Sequence, residues 1–257
     1  MTTDPSDPLV VYTVIIGDGY RLPPVRPVQD APHLCFTDQR LDPNGWDLVP
    51  ITPILPADPA RSSRDAKVRP HRFLPQYSRS LFIDPTVDLQ APAQALWSSL
   101  MPGPDHVLGC LHHSLHATLG DEFDAVDRAS MEHARILREL RNMLRDHHPG
   151  TLDLRPAWGG ILARRHNEPA CIDAMEAWFA HILRYARRDQ LTLPLILSQM
   201  PESRRHIAAL DNQRSPFHRW PIEGYVRPAR YMDGYRRNPH YRRFRRLMHR
   251  MFGIPPY

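Results

Sequence analysis

The 257-residue chain contains a single lysine, Lys67, and meets every other basic requirement with arginine. It also has only three cysteines: Cys35, Cys110 and Cys171 lie far apart and form no C-x-x-C pair. An odd number at such spacings argues against a disulfide framework and a zinc ribbon and fits a reducing compartment, so a cytoplasmic location is expected. The opening Thr, Asp, Pro and Ser residues are neither basic nor followed by a signal-like apolar run, and no secretory signal is expected. The longest apolar runs, such as Leu9 to Ile16, fall well short of the ~20 residues that span a bilayer. The expectation is a soluble protein, or one peripheral to a membrane. Neither G-x-G-x-x-G nor G-x-x-x-x-G-K-[ST] occurs, which counts against a Rossmann dinucleotide site and a P-loop.

What is present describes an ordinary globular chain, 42% hydrophobic and 24% charged, with ample material for a core and no signature of disorder or collagen. The net charge of +5 is unevenly placed. From Pro201 to Tyr257 there are 13 arginines against four acids, a net of +9, which leaves −4 for residues 1–200. The body is mildly acidic and the tail is basic.

Short β-branched runs bounded by Gly, Pro, Asp or Asn-Gly predict strands over 9–16, 33–37, 46–51, 80–83, 105–111 and 160–163. Residues 62–68 predict a short helix before Pro70. Apolar spacing predicts one helix over 121–145 and another from Ile172 through Tyr185. Alternating strands and helices across about 190 residues imply an α/β domain with a mixed, mostly parallel sheet. The expected organisation is one such domain over 1–200 and an irregular basic extension over 201–257 that wraps or docks on it.

Several constellations bear chemistry. Gly17, Asp38 and Asp84 each follow a predicted strand, and an open α/β sheet collects its ligands at strand ends. Arg64 and Lys67, three apart on one helix face, suit a diphosphate, with His71 close behind. Lys67 is notable because a compact ammonium differs from the planar fork used everywhere else. The run His112-His-Ser-Leu-His116, followed by Glu122, lacks H-E-x-x-H and reads as a loop with one histidine facing the site, not as a dedicated zinc site. Arg165 and His166 form a further basic cluster. Asp189, 11 residues after Trp178, falls three helical turns on, where an acid beneath an aromatic shelf would accept a proton or orient a sugar. In the tail, Tyr241, Phe244, Met248 and Phe252 recur among arginines, which predicts a basic amphipathic helix over 240–252. Such a helix suits an anionic membrane surface, a nucleic acid or the acidic body itself.

Taken in order, Tyr12-Thr-Val…Gly17, Cys35-Phe-Thr-Asp38, Trp46, Arg64-x-x-Lys67-x-x-Pro70-His71, Tyr77-x-x-Ser80-Leu-Phe-Ile-Asp84, His113 with Glu122, Arg165-His-Asn167, Trp178 and Arg188-Asp-Gln-Leu191 form a recognisable pattern. It resembles the glycosyltransferase-like domain family shared by bacterial proteins and plant proteins of turgor regulation and seed mucilage synthesis. The resemblance covers roughly residues 10–197. It implies a GT-A-like fold and transfer of a sugar from a nucleotide-sugar donor to an acceptor that the sequence does not identify, often with Mn²⁺ or Mg²⁺. By the same resemblance Asp84 would hold the metal, and Gly17, Asp38, Arg64, Lys67, His71, Arg165 and His166 would bind the donor. Asp189, Gln190 and His113 would serve catalysis. The family's D-x-D is absent, because Pro85 and Thr86 follow Asp84. Single-acid coordination and metal-independent turnover both stay open, as does a non-catalytic nucleic-acid or partner-binding role on a degenerate scaffold.

Overall fold

The computed structural model describes residues 8–18, 20–129, 131–224 and 251. Its strands in chain order are β1 (Leu9–Ile15), β2 (His33–Thr37), β3 (Asp47–Pro50), β4 (Arg79–Ile83), β5 (Asp88–Leu89), β6 (Leu108–His112), β7 (Ala157–Arg164), β8 (Arg205–Ala208) and β9 (His218–Arg219). Its helices are α1 (Pro59–Val68), α2 (Pro70–Phe73), α3 (Ala93–Leu100), α4 (Leu119–Arg128), α5 (Ala134–His147), α6 (Pro169–Arg184) and α7 (Leu193–Gln199).

The most apolar run takes the middle of the sheet. All seven residues of β1 are buried, and it pairs in parallel with β2 on one side and β4 on the other. The seven strands run in the order β3-β2-β1-β4-β7-β6-β8. β7 is antiparallel to both its neighbours, and the remaining pairings are parallel. This is the mixed, mostly parallel α/β sheet expected from the sequence.

Because side chains alternate across a strand, β1 feeds two cores. Val10, Tyr12 and Val14 pack with Ala66 and Val68 of α1, with Met175, Trp178 and Ile182 of α6, and with Ile196 of α7. Leu9, Val11 and Ile15 pack on the other face with Leu96, Trp97 and Leu100 of α3 and with Leu22 and Trp46. A third cluster joins α4 and α5 to Leu191 and Leu195.

The structure departs from the expectations in three places. The helix expected over 121–145 is two helices. Thr118 and Asp121 form a capping box at the start of α4, and His133 caps α5 by accepting from the Arg135 N–H. Between them the buried Glu132 carboxylate turns inward to accept from the Arg187 N–H at 2.9 Å, so one continuous helix would forfeit that bond. The strand expected from Asp105 begins only at Leu108, because the His106 ring closes a turn by accepting from the Gly103 N–H. The sheet also continues past Pro201, where the composition changes: β8 pairs with β6, and β9 with β5. The expected basic helix over 240–252, on which contact with nucleic acid or membrane depends, lies outside the described residues apart from Met251. Among the described residues no helix is long and apolar enough to cross a membrane.

Candidate functional site

A cleft of about 640 Å³ opens where the parallel strands end. Ile16-Gly17-Asp18 after β1, Asp38 after β2 and Asp84 after β4 form one rim, and α1 flanks it with Pro59, Ser63, Arg64 and Lys67. Trp158-Gly159-Gly160 of β7 joins the floor, and His113, Arg187, Arg188, Asp189 and Gln190 line the far side. β7 reaches this rim with its N-terminal half because it runs against its neighbours. Eight of the eleven residues singled out from the sequence meet here: Gly17, Asp38, Arg64, Lys67, Asp84, His113, Asp189 and Gln190.

The centre of the wall is an ion pair. Lys67 Nζ donates to Asp189 Oδ2, and Arg64 Nε lies 3.4 Å from the same oxygen. The two cations share a helix face, as their spacing demands, and the anion they hold is a carboxylate of the protein. Burial alone would raise the Asp189 carboxyl, but the charges of Arg64 and Lys67 outweigh it and hold the group down at about 2. Asp189 is therefore ionised at any ordinary pH and is a poor proton acceptor. Burial pushes the Lys67 ammonium below its ordinary range, against the pull of Asp189. The Tyr12 hydroxyl donates to the Lys67 carbonyl at 2.7 Å, fixing the end of α1 to the central strand.

Asp189 does not sit on the helix that carries Trp178. α6 ends at Arg184, and the chain folds back so that a separate 3₁₀ turn, Asp189–Leu191, presents the acid. Their relation is a tertiary contact in which the Trp178 indole N–H donates to the Asp189 carbonyl at 3.0 Å. Gly159 makes room for the pair, because a Cβ there would lie 3.3 Å from Lys67 Nζ and 3.7 Å from Asp189 Oδ2.

At the strand ends, Gly17 has a φ of +81°, a left-handed conformation that glycine adopts freely, and its N–H donates to Asp38 Oδ1 at 2.9 Å. Asp84 Oδ1 accepts from the Thr86 N–H at 3.0 Å and from the Thr86 hydroxyl at 2.6 Å. The Trp220 indole N–H donates to the same hydroxyl oxygen at 2.8 Å. Residues beyond Pro201 thus reach the cleft and steady the strand-end acid. At the opposite end, Gln190 Nε2 donates to Glu122 Oε1 at 3.1 Å. Burial lowers the His113 imidazole from its usual range, with Glu122 opposing and His116, Arg188 and Arg155 reinforcing, so the ring is neutral at pH 7.

Three expected donor ligands lie elsewhere, for one topological reason. α1 leads away from the strand-end rim and β4 runs back to it, so His71 sits at the opposite rim, where its Nε2 bonds Glu176 Oε1 at 2.8 Å. β7 ends at that same opposite rim. There the Arg165 guanidinium lies 5.0 Å over the Trp97 ring, and the fully buried His166 bonds the Leu74 carbonyl at 3.0 Å. Sequence reasoning passed over Gly159 and Trp220. The Gly159-Gly160 pair inside a strand is a legible sign of close approach, whereas nothing local marks Trp220.

No protein-family model matches the chain, and no curated protein does either. Among solved structures, the chain is similar to the apo structure of WbbM, a bifunctional glycosyltransferase, with 12% identity over 81% of this chain and 39% of that one, at a TM-score of 0.42. It is also similar to apo mouse xyloside xylosyltransferase 1, with 10% identity over 78% of this chain and 84% of that one, at a TM-score of 0.41. The chain thus spans well under half of the WbbM chain. Likenesses this distant carry no argument about the site, whose reading rests on its own geometry.

Proposed function

We propose that the protein is a nucleotide-sugar-dependent glycosyltransferase of GT-A type, with its donor in the strand-end cleft. The observation that carries this reading is the convergence of eight residues from six separate segments on that one cleft. The nucleoside would sit against Gly17 and Asp38, the diphosphate beside Asp84 and Arg64, and the sugar toward Asp189, Gln190 and His113.

The resemblance implies a divalent cation at Asp84, and the residues fit one of limited protein ligation. Asp84 contributes one carboxylate, and among the described residues it belongs to no group of three metal-ligating side chains. Such a site suits an ion held by a single carboxylate and by phosphate oxygens. The cleft is lined by the acids Asp18, Asp38, Asp58, Asp84 and Asp189 against the cations Arg64, Lys67, Arg187 and Arg188, so it carries no surplus positive charge for a diphosphate. Bound at Asp84, the ion would supply the missing neutralisation of the leaving group.

The protein's own residues hold the geometry. Asp189, kept ionised by Arg64 and Lys67, accepts hydrogen bonds from sugar hydroxyls and does not act as a base. His113 lines the acceptor side, its Nδ1 accepting from the Leu115 N–H at 3.3 Å. In the transfer, the bond between the anomeric carbon and the diphosphate oxygen breaks, the nucleoside diphosphate leaves, an acceptor oxygen bonds the anomeric carbon and the acceptor proton passes to solvent. The test is nucleoside diphosphate release from a panel of sugar nucleotides, with and without Mn²⁺, in wild type and Asp84→Ala. Release by wild type and none by the variant supports the reading. Equal release by both would remove Asp84 from it.

A further inference from the structure

The far side of the cleft holds a second cluster, separate from the strand-end acids. His113, just after β6, His116 in the following loop and Glu122 in the first turn of α4 each offer one ligand atom, and these atoms all lie within 4.8 Å of one another. The two imidazoles are stacked nearly parallel, 5.1 Å apart with an interplanar angle of 8°. His116 Nδ1 lies 2.5 Å from Glu122 Oε2, and Glu122 Oε1 is held by Gln190 Nε2.

We propose that His113, His116 and Glu122 form a binding site for a transition-metal ion of the zinc type on the acceptor side of the cleft. The ligand chemistry decides the class of ion. Two imidazoles and one carboxylate make up the protein ligand set of open zinc sites, in which three side chains leave a fourth position for water or substrate. Imidazole suits zinc and its first-row neighbours, whereas magnesium and calcium prefer oxygen alone. The ligands are enclosed. Glu122 is 3% exposed and His113 6%, and an ion would replace only the His116 contact of a carboxylate whose other oxygen Gln190 already holds. Gln190 behaves as an outer-shell residue should, fixing the ligating carboxylate through its second oxygen.

From the sequence, this run together with Glu122 reads as a loop and not as a dedicated zinc site, because H-E-x-x-H is absent and Glu122 lies six residues beyond His116 and not at helical spacing; the structure brings the three side chains together. The α4 capping box, in which Thr118 accepts from the Asp121 N–H, turns the chain so that Glu122 faces back to the histidines. Gln190 also adjoins Asp189, and its own N–H donates to Asp189 Oδ1 at 3.1 Å, so one short turn serves both the ion pair and the metal site. The role of the ion, holding or deprotonating an acceptor hydroxyl at the fourth position, rests on the transferase reading. Its binding does not.

The test uses the full chain stripped of metal by a chelator. Calorimetric titration with Zn²⁺ and Mg²⁺ and visible absorption with Co²⁺ would be recorded for wild type, His116→Ala, Glu122→Gln, Gln190→Ala and Asp84→Ala, each checked for folding by circular dichroism. Wild type should take up one Zn²⁺ or Co²⁺ and should not bind Mg²⁺ at this site. His116→Ala and Glu122→Gln should lose the cobalt spectrum, Gln190→Ala should weaken binding by about 10–100-fold, and Asp84→Ala should leave it intact. Failure of folded wild type to bind Zn²⁺ or Co²⁺ would overturn the proposal. So would binding that survives unchanged in folded His116→Ala. Neither result would touch the donor reading, which stands or falls on nucleotide release.

Discussion

Lys67 and Asp189, 122 residues apart in sequence, form an ion pair inside the wall of the cleft, with side chains 6% and 8% exposed. The chain's only lysine meets the acid that the sequence singled out on other grounds. Removing Asp189 leaves the Lys67 ammonium buried without its carboxylate, which costs about 3–5 kcal/mol, whereas removing Lys67 leaves Asp189 its Arg64 contact at 3.4 Å and costs less; removing both costs much less than the sum. Asp189→Asn should lower the urea midpoint substantially and Lys67→Met less so, and Lys67→Met/Asp189→Leu should recover part of the loss. Additive losses across this cycle would show that the pair is not coupled.

Gly159 lies directly against the pair. Its substitution by alanine pushes a methyl group to 3.3 Å from Lys67 Nζ, and overpacking of this kind costs about 1–3 kcal/mol. Gly159→Ala should lower the melting temperature moderately and weaken nucleotide binding, and Gly159→Val should do both more severely. Unchanged nucleotide affinity in Gly159→Val would take the β7 floor out of the site.

The path from Trp220 through Thr86 to Asp84 steadies the strand-end acid. Thr86→Val removes a hydroxyl that donates to Asp84 and accepts from Trp220, a loss on the scale of one charge-assisted hydrogen bond, about 1.5–3 kcal/mol. If the carboxylate acts as proposed, kcat/KM should fall by about 10- to 100-fold, while Asp84→Ala should be inactive and still folded. Steady-state kinetics on both variants measure the difference, and a silent Thr86→Val would mean that Asp84 needs no such support.

The limits of what the sequence revealed follow from how the chain is wired. Most strands were legible where an apolar run was bounded by Pro, Gly or Asp, but α3, set between Pro92 and Pro102, and α7 carried too short a periodic pattern to be read as helices; Gly17, Asp38 and Asp84 were legible because parallel strands end at one rim. Arg165 and His166 were misplaced because strand direction is a tertiary property: β7 is antiparallel, so its end points to the opposite rim. The Trp178 to Asp189 spacing suggested one helix face, yet it is spanned by a helix end, a reversal and a 3₁₀ turn. Trp220 reaches the site through a loop path that carries no periodic signal, and Glu122, though named beside His113 in the sequence, was not read as a ligand because its spacing from His116 crosses a loop.

Buried neutral histidines set an acid limit on stability. Burial lowers His166 to about 4, against an ordinary value of about 6.5 when unfolded. Between those values the unfolded chain binds the proton and the folded one does not, so stability falls as pH drops from about 6.5 to 4 and loses no more from this group below that. The contribution of His166 is about 3 kcal/mol. Denaturant unfolding between pH 4 and 7 should show this slope, and His166→Gln should flatten it. An unaltered slope in the variant would assign the loss to other groups.

The central claim is that the strand-end cleft receives a nucleoside diphosphate. Isothermal titration of the full chain with UDP, GDP, ADP and CDP in the presence of Mn²⁺ tests it most directly, with Asp84→Ala run alongside. The account predicts that at least one of them binds wild type with a stoichiometry of one, and that this binding is lost or strongly weakened in the variant. Folded wild-type protein that binds none of the four would contradict it.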